Sequence, residues 1–327
     1  MGKYKVIDGN EACAHISYMF TEIAGIYPIT PASPMSEYID KWSTEGRLNL
    51  FNNKVKLIEM QSEAGAIALV HGSLQTGSLT STYTASQGLL LMIPSMYKIA
   101  GEMLPCVINV ASRTVATHAL SIFGDHSDIY ASRGTGFCFL ASSSVEDTIY
   151  MTLASYLSTL KGKLPFVNFF DGFRTSHELN KVYVPDMSEI KGLVPFKNID
   201  NFRKESMISK KQIKGTTQND DVYFQNLEAR NKYYDKMPDV VLYREDKNWI
   251  YFVESVTSVG PMDPKRILEI TEMTKDVTAG KIFVTAFLDF KTYKKFAEEL
   301  AWETEVWIAE MPEHMIHLNG DRFMGPR

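Results

Sequence analysis

Positions Ala12, His15, Ile16, Met19, Phe20 and Ile23 fall on one face at helical spacing, which predicts an amphipathic helix over residues 10–25 stopped at Gly25. Tyr27-Pro28-Ile29-Thr30-Pro31 predicts a short extended segment ending in a proline-rich loop. Ser33 followed by Pro34 predicts the cap and first turn of a helix reaching Trp42. Leu57 to Met60, Leu79 to Tyr83, Cys106 to Ala111, Gly136 to Leu140 and Pro165 to Phe170 are apolar runs of strand length. Helical stretches lie between them at Ser62 to Gly72, 89–100 and 145–161, the last opening at Ser144, and Ala85-Ser86-Gln87-Gly88 is a turn. Strands that are apolar on both faces and alternate with helices imply a doubly wound α/β domain with a mainly parallel sheet.

Residues 177–236 lose this alternation and become charged and irregular, as a peripheral helical and loop extension of the same domain would. The pattern resumes at Val240. Val240 to Tyr243 and Trp249 to Thr257 read as a hairpin around a polar turn. Pro264 to Asp276 is helical, Lys281 to Leu288 is a strand, Thr292 to Trp302 is an amphipathic helix, and Glu305 to Met311 is a last strand. The expected organisation is a domain over 1–176, its extension over 177–236, and a small second α/β unit over 237–327.

Composition narrows the class. With 45% hydrophobic and 22% charged residues in 327 positions, the chain suits one large or two medium globular domains. No apolar run is long enough to span a bilayer, and the opening MGKYKVIDGNEACAH has no apolar signal core. No membrane partner and a cytoplasmic location are therefore expected. Cys13, Cys106 and Cys138 sit in apolar surroundings without a C-x-x-C, which argues against a disulfide framework, a zinc finger or iron–sulfur ligands. The net charge of −5 is uneven: residues 1–236 carry 23 basic and 23 acidic side chains, whereas 237–327 carry 11 and 16. Neither part has the basic footprint that phosphate binding to nucleic acid leaves.

Several polar residues fall just after predicted strands, where open α/β sheets bind ligands. Thr30, Glu63, Ser86, Gln87 and Arg113 are the members. A glutamate, an arginine and a threonine at neighbouring strand ends suit a small anionic substrate, because a guanidinium clamps a carboxylate. They equally suit loop-end capping. In the second unit, Asp239 before one strand and Glu254 on the next are placed to share a divalent cation of the kind that serves phosphodiester hydrolysis. A solvated hairpin accounts for them as well.

Longer motifs carry more. DGNEACAH, YPITPASPMSE, EMQSEAGA, TYTASQGLLLMIPSMYKIAGEMLP, ATHALSIFGDHSD and FFDGFRTSHE stand in order at natural spacing. Together they resemble the N-terminal domain of pyruvate:ferredoxin (flavodoxin) oxidoreductases, nearly continuously over residues 3–177 and more weakly through IKGTTQNDDVYFQNLEARNKYYDK at 213–236. The resemblance implies a domain that binds the aminopyrimidine of thiamine diphosphate. Glu63 matches the glutamate that hydrogen-bonds that ring and promotes the imino tautomer that takes the thiazolium C2 proton. Thr30 and Arg113 match the groups that hold the carboxylate of pyruvate or a similar 2-oxoacid, and Pro28 matches the turn beside the pyrimidine. His118 and His126, which flank a Gly-Asp loop, are expected to serve loop packing rather than to bind metal. The family's Gly-Asp-Gly diphosphate site and cysteine-rich modules have no counterpart here. Half a thiamine site is expected, active only with separately encoded complementing subunits.

PDVVLYREDKNWIYFVESVTSVGPMDPKR and the stretch from TAGKIFVTAFLDF to the end resemble the C-terminal catalytic region of BsuBI/PstI-type restriction endonucleases, over about 236–327. The resemblance implies a PD-(D/E)XK nuclease-like unit acting on double-stranded DNA with Mg²⁺, held by Asp239 and Glu254. Val256 stands where the class carries its lysine, and Lys265 is the nearest substitute. The stretch YYDKMPDVVLY is then a seam between two families. The expected function is a fusion, or a join of fragments, of an oxidoreductase pyrimidine-binding domain with a type II endonuclease catalytic region. The alternatives are a site-specific deoxyribonuclease with a non-catalytic N-terminal appendage, and an inactive join.

Overall fold

The computed structural model describes residues 2–211, 220–234, 237–257 and 260–320. The chain divides into two units, Met1–Glu228 and Ala229–Arg327. The first contains, in order, β1 (Lys3–Ile7), α1 (Gly9–Phe20), β2 (Ile23–Ile26), α2 (Ser33–Thr44), β3 (Lys56–Glu59), α3 (Glu63–Gln75), β4 (Thr80–Thr84) and α4 (Gln87–Gly101). It continues through β5 (Val107–Ser112), α5 (Ser127–Ser132), β6 (Cys138–Ser142), α6 (Val145–Gly162), β7 (Phe166–Asp171), β8 (Asn180–Val184), α7 (Met187–Lys191) and α8 (Phe196–Glu205). The division falls within α9 (Asp220–Tyr234).

Six of these strands form one sheet in the order β3-β2-β4-β5-β7-β6, with every neighbouring pair parallel. From β2 the chain steps outward to β3 and then returns to β4 on the other side of β2. That reversal opens a crevice at the carboxyl ends of β2 and β4, the switch point at which doubly wound sheets bind ligands.

Two sequence expectations change here. The predicted helix over 10–25 ends at Phe20, and Ile23 and Gly25 lie in β2. Thr21 turns extended and donates its hydroxyl to the Ser17 carbonyl at 2.7 Å, which closes the helix. Ile23-Ala24-Gly25-Ile26 then joins β3 on one side and β4 on the other. A helix face and a doubly covered strand are both apolar, so spacing alone does not separate them. Gly25 is needed by the strand, since a Cβ there meets the Ala66 carbonyl and Leu69 of α3 at 3.1 Å. β1 and β8 form an antiparallel ribbon that the sequence does not announce, because KYKVI is largely solvent-facing and polar.

Beneath the sheet a polar network is buried and largely paired within itself, Asn168 Oδ1 being left without a partner. Asn168 Nδ2 donates to Asn109 Oδ1 at 3.1 Å and to Thr152 Oγ1 at 2.9 Å, and Asn109 Nδ2 donates to the Tyr156 hydroxyl at 3.2 Å. Tyr156 and Thr21 each meet Ser81 Oγ, at 2.7 and 2.8 Å. Mutual pairing is what lets side chains of this polarity sit in a core. Burial pushes the Cys13 thiol up to about 12 and the Cys138 thiol up to about 11. Both remain protonated and unreactive at neutral pH.

The second unit contains β9 (Val240–Arg244), β10 (Trp249–Val256), α10 (Pro264–Met273), β11 (Gly280–Phe287), α11 (Phe290–Phe296), β12 (Thr304–Ile308) and β13 (Met315–Leu318). Its sheet runs β13-β12-β11-β10-β9, parallel at the two central pairings and antiparallel at the outer two. Val256, Phe287, Phe296, Val306 and Ile308 form one core cluster, and Phe252, Met262 and Ile270 form another. α11 is shorter than the predicted 292–302 helix, and β13 adds a strand beyond the expected four. Among the described residues no helix is long and apolar enough to cross a membrane.

Candidate functional site

Glu63 is the first residue of α3, and its neighbour Ser62 caps that helix by accepting the Gly65 N–H at 3.2 Å. An acidic side chain in a first helical turn is favoured by the helix dipole. Here it is also buried, at 5% exposure, and its carboxylate has no hydrogen-bond or ion-pair partner among the described residues. Gly88 of α4 packs directly on it: a Cβ at Gly88 lies 2.3 Å from Thr84 Oγ1 and 2.8 Å from Glu63 Oε1. Glycine is required so that α4 can close on Glu63. Gly88→Ala is expected to cost about 1–3 kcal/mol as an overpacked core site does. Denaturant unfolding of Gly88→Ala, alone and combined with Thr84→Ala, checks this: the added room at residue 84 recovers part of the loss.

Arg113 follows β5 and is 6% exposed. Its Nη1 donates to the Thr30 carbonyl at 2.8 Å and its Nη2 to Gln87 Oε1 at 3.3 Å, while its buried Nε has no partner. Burial pulls the guanidinium below its usual range, and the nearby Asp128 charge opposes that. The loops after β2, β4 and β5 are thereby tied together at the crevice, with Arg113 touching both Thr30 and Gln87. Pro28 lies exposed two residues before Thr30. Gln87 precedes Gly88, which carries the cluster across to Glu63.

Asp128, unremarked in the sequence, organises this arrangement. Its Oδ2 accepts the Ser86 N–H at 2.8 Å and the Arg113 N–H at 3.2 Å. Its Oδ1 accepts the Ser112 hydroxyl at 2.6 Å and the Ile129 N–H at 2.8 Å. Burial raises its carboxyl above the usual range, and these four donors oppose the rise. Ser86 stands at φ 50°, ψ −126°, a backbone state that L residues hold only when their surroundings impose it. Asp128 supplies one restraint, and the Ser86 hydroxyl, donating to the Thr114 carbonyl at 2.9 Å, supplies another. Of the histidines in this region, His118 meets Thr117 at 3.1 Å and His126 meets Asp171 at 2.9 Å, both exposed.

In the second unit β9 and β10 pair antiparallel with Val240 opposite Val253. Asp239, one residue earlier, is thereby set opposite Glu254, and its Oδ2 accepts the Ser255 N–H at 2.7 Å. Glu254 shares its face of β10 with Phe252 and Val256, which belong to the two core clusters. Burial raises its carboxyl, the Asp239 charge adds to that, and Arg266 opposes it. Val256 is 1% exposed among Phe287, Val306 and Ile308, where a lysine has no room for its charge. Lys265, the expected substitute, points outward at 82% exposure, 3.9 Å from Glu269. The cation beside the carboxylates is its neighbour Arg266, whose Nε donates to Glu254 Oε1 at 2.7 Å. Helical rotation separates adjacent residues by about 100°, so a one-residue difference moves a side chain off the face. Among the described residues no three acidic, histidine or cysteine groups are placed to share one ion. Two carboxylates with water and phosphate oxygens suffice for magnesium.

Residues 16–245 match the family model for the pyruvate flavodoxin/ferredoxin oxidoreductase thiamine diphosphate-binding domain. Residues 204–321 match that of the BsuBI/PstI restriction endonuclease domain, so 204–245 match both. A pyruvate-flavodoxin oxidoreductase of Klebsiella pneumoniae is 53% identical over 241 residues, 73% of this chain and 21% of the relative. The chain spans about a fifth of the length of the curated relatives it matches. Among solved structures, the 2-oxoglutarate:ferredoxin oxidoreductase from Magnetococcus marinus aligns over 93% of this chain and 62% of its own at 13% identity, with a TM-score of 0.54, a likeness of fold. The SdaI restriction endonuclease is 43% identical over 28% of each chain, with a TM-score of 0.26.

Proposed function

Since the chain belongs to the pyruvate flavodoxin/ferredoxin oxidoreductase family through its thiamine diphosphate-binding domain, and carries a BsuBI/PstI restriction endonuclease domain as well, we propose that its N-terminal unit binds the aminopyrimidine end of thiamine diphosphate beside the carboxylate of pyruvate or a similar 2-oxoacid. One observation carries the reading: at one strand-end crevice stand a buried guanidinium nitrogen without a partner and a glutamate, 5% exposed, whose carboxylate has no partner among the described residues. A buried polar group without a partner is costly, and a ligand that completes it recovers that cost.

Glu63 exchanges a proton with a ring nitrogen of the pyrimidine, a task suited to a carboxylate held at the edge of the crevice without a protein partner. Arg113, through its free Nε, takes one carboxylate oxygen of the oxoacid, and the Thr30 hydroxyl takes another contact. Pro28 shapes the turn beside the ring. When bound, thiamine diphosphate supplies the nucleophilic carbon and electron sink for 2-oxoacid cleavage. Onward electron transfer to ferredoxin or flavodoxin belongs to complementing parts of the enzyme. Co-expression with the remaining portion of a relative is the test: pyruvate-dependent viologen reduction is expected, and its absence from a folded, assembled complex rejects this role.

For the C-terminal unit the reading is Mg²⁺-dependent hydrolysis of double-stranded DNA, supported by the opposed Asp239–Glu254 pair. Both carboxylates would hold the ion, which orients water and neutralises the phosphate. Mg²⁺-dependent nicking or cutting of plasmid DNA by the full chain is expected to disappear in Asp239→Ala, and a chain that cuts nothing overturns the reading. The setting proposed for both chemistries is the cytoplasm, without a membrane partner.

A further inference from the structure

Arg266 is held on several sides at the carboxylate pair. Its backbone N–H is fixed by Asp263 Oδ1 at 2.6 Å in the first turn of α10. Its Nε donates to Glu254 Oε1 and its Nη2 to the Met237 carbonyl, both at 2.7 Å, and Nη1 lies 3.5 Å from Glu269 Oε2. The Arg266 and Glu254 side chains are 14% and 13% exposed, so the pair is shielded from water and salt. Met237 lies just before Pro238-Asp239, so one guanidinium ties the segment bearing the first carboxylate to the strand bearing the second. An oxygen lone pair engaged by a guanidinium at 2.7 Å is not at the same time open to a cation.

We propose that Arg266 is a counter-ion latch on this site: it occupies Oε1 of Glu254, competes with a divalent cation for that carboxylate, and weakens the ion's binding until it lets go. The proposal rests on the nuclease reading of the unit. Its physical basis is that a mostly buried carboxylate stripped of the one ion-pair partner it has among the described residues is left uncompensated and binds the next available cation more strongly. The guanidinium also explains why Asp239 and Glu254, two like charges facing each other, are stable together without metal. Loading is then coupled to a rearrangement of the Met237–Asp239 segment, which loses its contact with Arg266 when the latch opens.

Titration of the full chain with Mn²⁺, followed by calorimetry and by the paramagnetic resonance of free Mn²⁺, tests this. Arg266→Gln is expected to bind about ten- to a hundredfold more tightly than the unmodified chain, the scale of one charge-assisted hydrogen bond released. Arg266→Lys, whose compact ammonium cannot reach Glu254 and the Met237 carbonyl together, is expected to fall between them. Thermal melts establish that each variant is folded, and if Arg266→Gln is not, Arg266→Lys decides alone. Mn²⁺ binding that Glu254→Gln abolishes but that neither Arg266 variant strengthens overturns the latch and leaves the nuclease reading intact. Absence of any Glu254-dependent binding in all the proteins overturns both.

Discussion

Glu63→Gln is expected to reduce pyruvate-dependent viologen reduction by the complemented enzyme at least about a hundredfold, the scale of losing a proton-transfer group, without lowering the melting temperature of the chain. The two halves of that result have one cause. In the proposed role the partner of Glu63 is a ligand, and among the described residues it has no protein partner, so glutamine can replace what it contributes to the fold. An amide fits the space above Gly88 without burying a charge, and stability stays level or rises. It cannot exchange a proton with a ring nitrogen at neutral pH. Steady-state rates on the assembled enzyme, beside thermal melts of the chain, check both halves. A variant that unfolds, or one that retains a tenth or more of the activity, removes Glu63 from the role assigned to it.

Asp128→Asn is expected to destabilise the N-terminal unit by about 3 kcal/mol, because hydrogen bonds to a charged acceptor are each worth about 1.5–3 kcal/mol. The reason is geometric. Asp128 accepts four donors, two on each oxygen. Asparagine presents one oxygen and one NH₂, so one pair of donors faces another donor and is left buried and unsatisfied. With the Ser86 N–H among the affected groups, the positive-φ turn loses a restraint and Gln87 shifts away from Arg113. Urea unfolding and ¹³C-pyruvate binding by the assembled enzyme are the measurements, and oxoacid binding is expected to weaken at least about tenfold, one lost contact in the affinity scale. Asp128 touches no substrate in this scheme; it acts by positioning Arg113 and Ser86. Loss of stability with unchanged oxoacid affinity would show that the loops keep their positions without it.

Much of this was legible along the chain. Continuous apolar runs between helical stretches announced a buried parallel sheet, and six motifs in order announced the oxidoreductase resemblance over 3–177. Thr30, Glu63, Gln87 and Arg113 were all identifiable as residues following strands. β1 and β13 were not, since outer strands that face solvent lack the apolar continuity that marks the central ones. Asp128 sat inside a quoted motif, yet nothing in its neighbours reveals that it binds a loop 42 residues earlier in the sequence.

The nuclease lysine illustrates the same limit more sharply. The sequence alone determined that Val256 is not basic and that two cations, Lys265 and Arg266, follow in PKR. Only the tertiary structure decided which of them meets Glu254, because that depends on which side of α10 faces β10. That orientation is set by Ile270 packing with Phe252 and Met262 in the core cluster. Local pattern determines which residues are available and what element each belongs to, since those follow from short-range sterics and burial. Which of them meet is decided by long-range packing, where one residue of helical rotation puts Arg266 on Glu254 and leaves Lys265 in solvent.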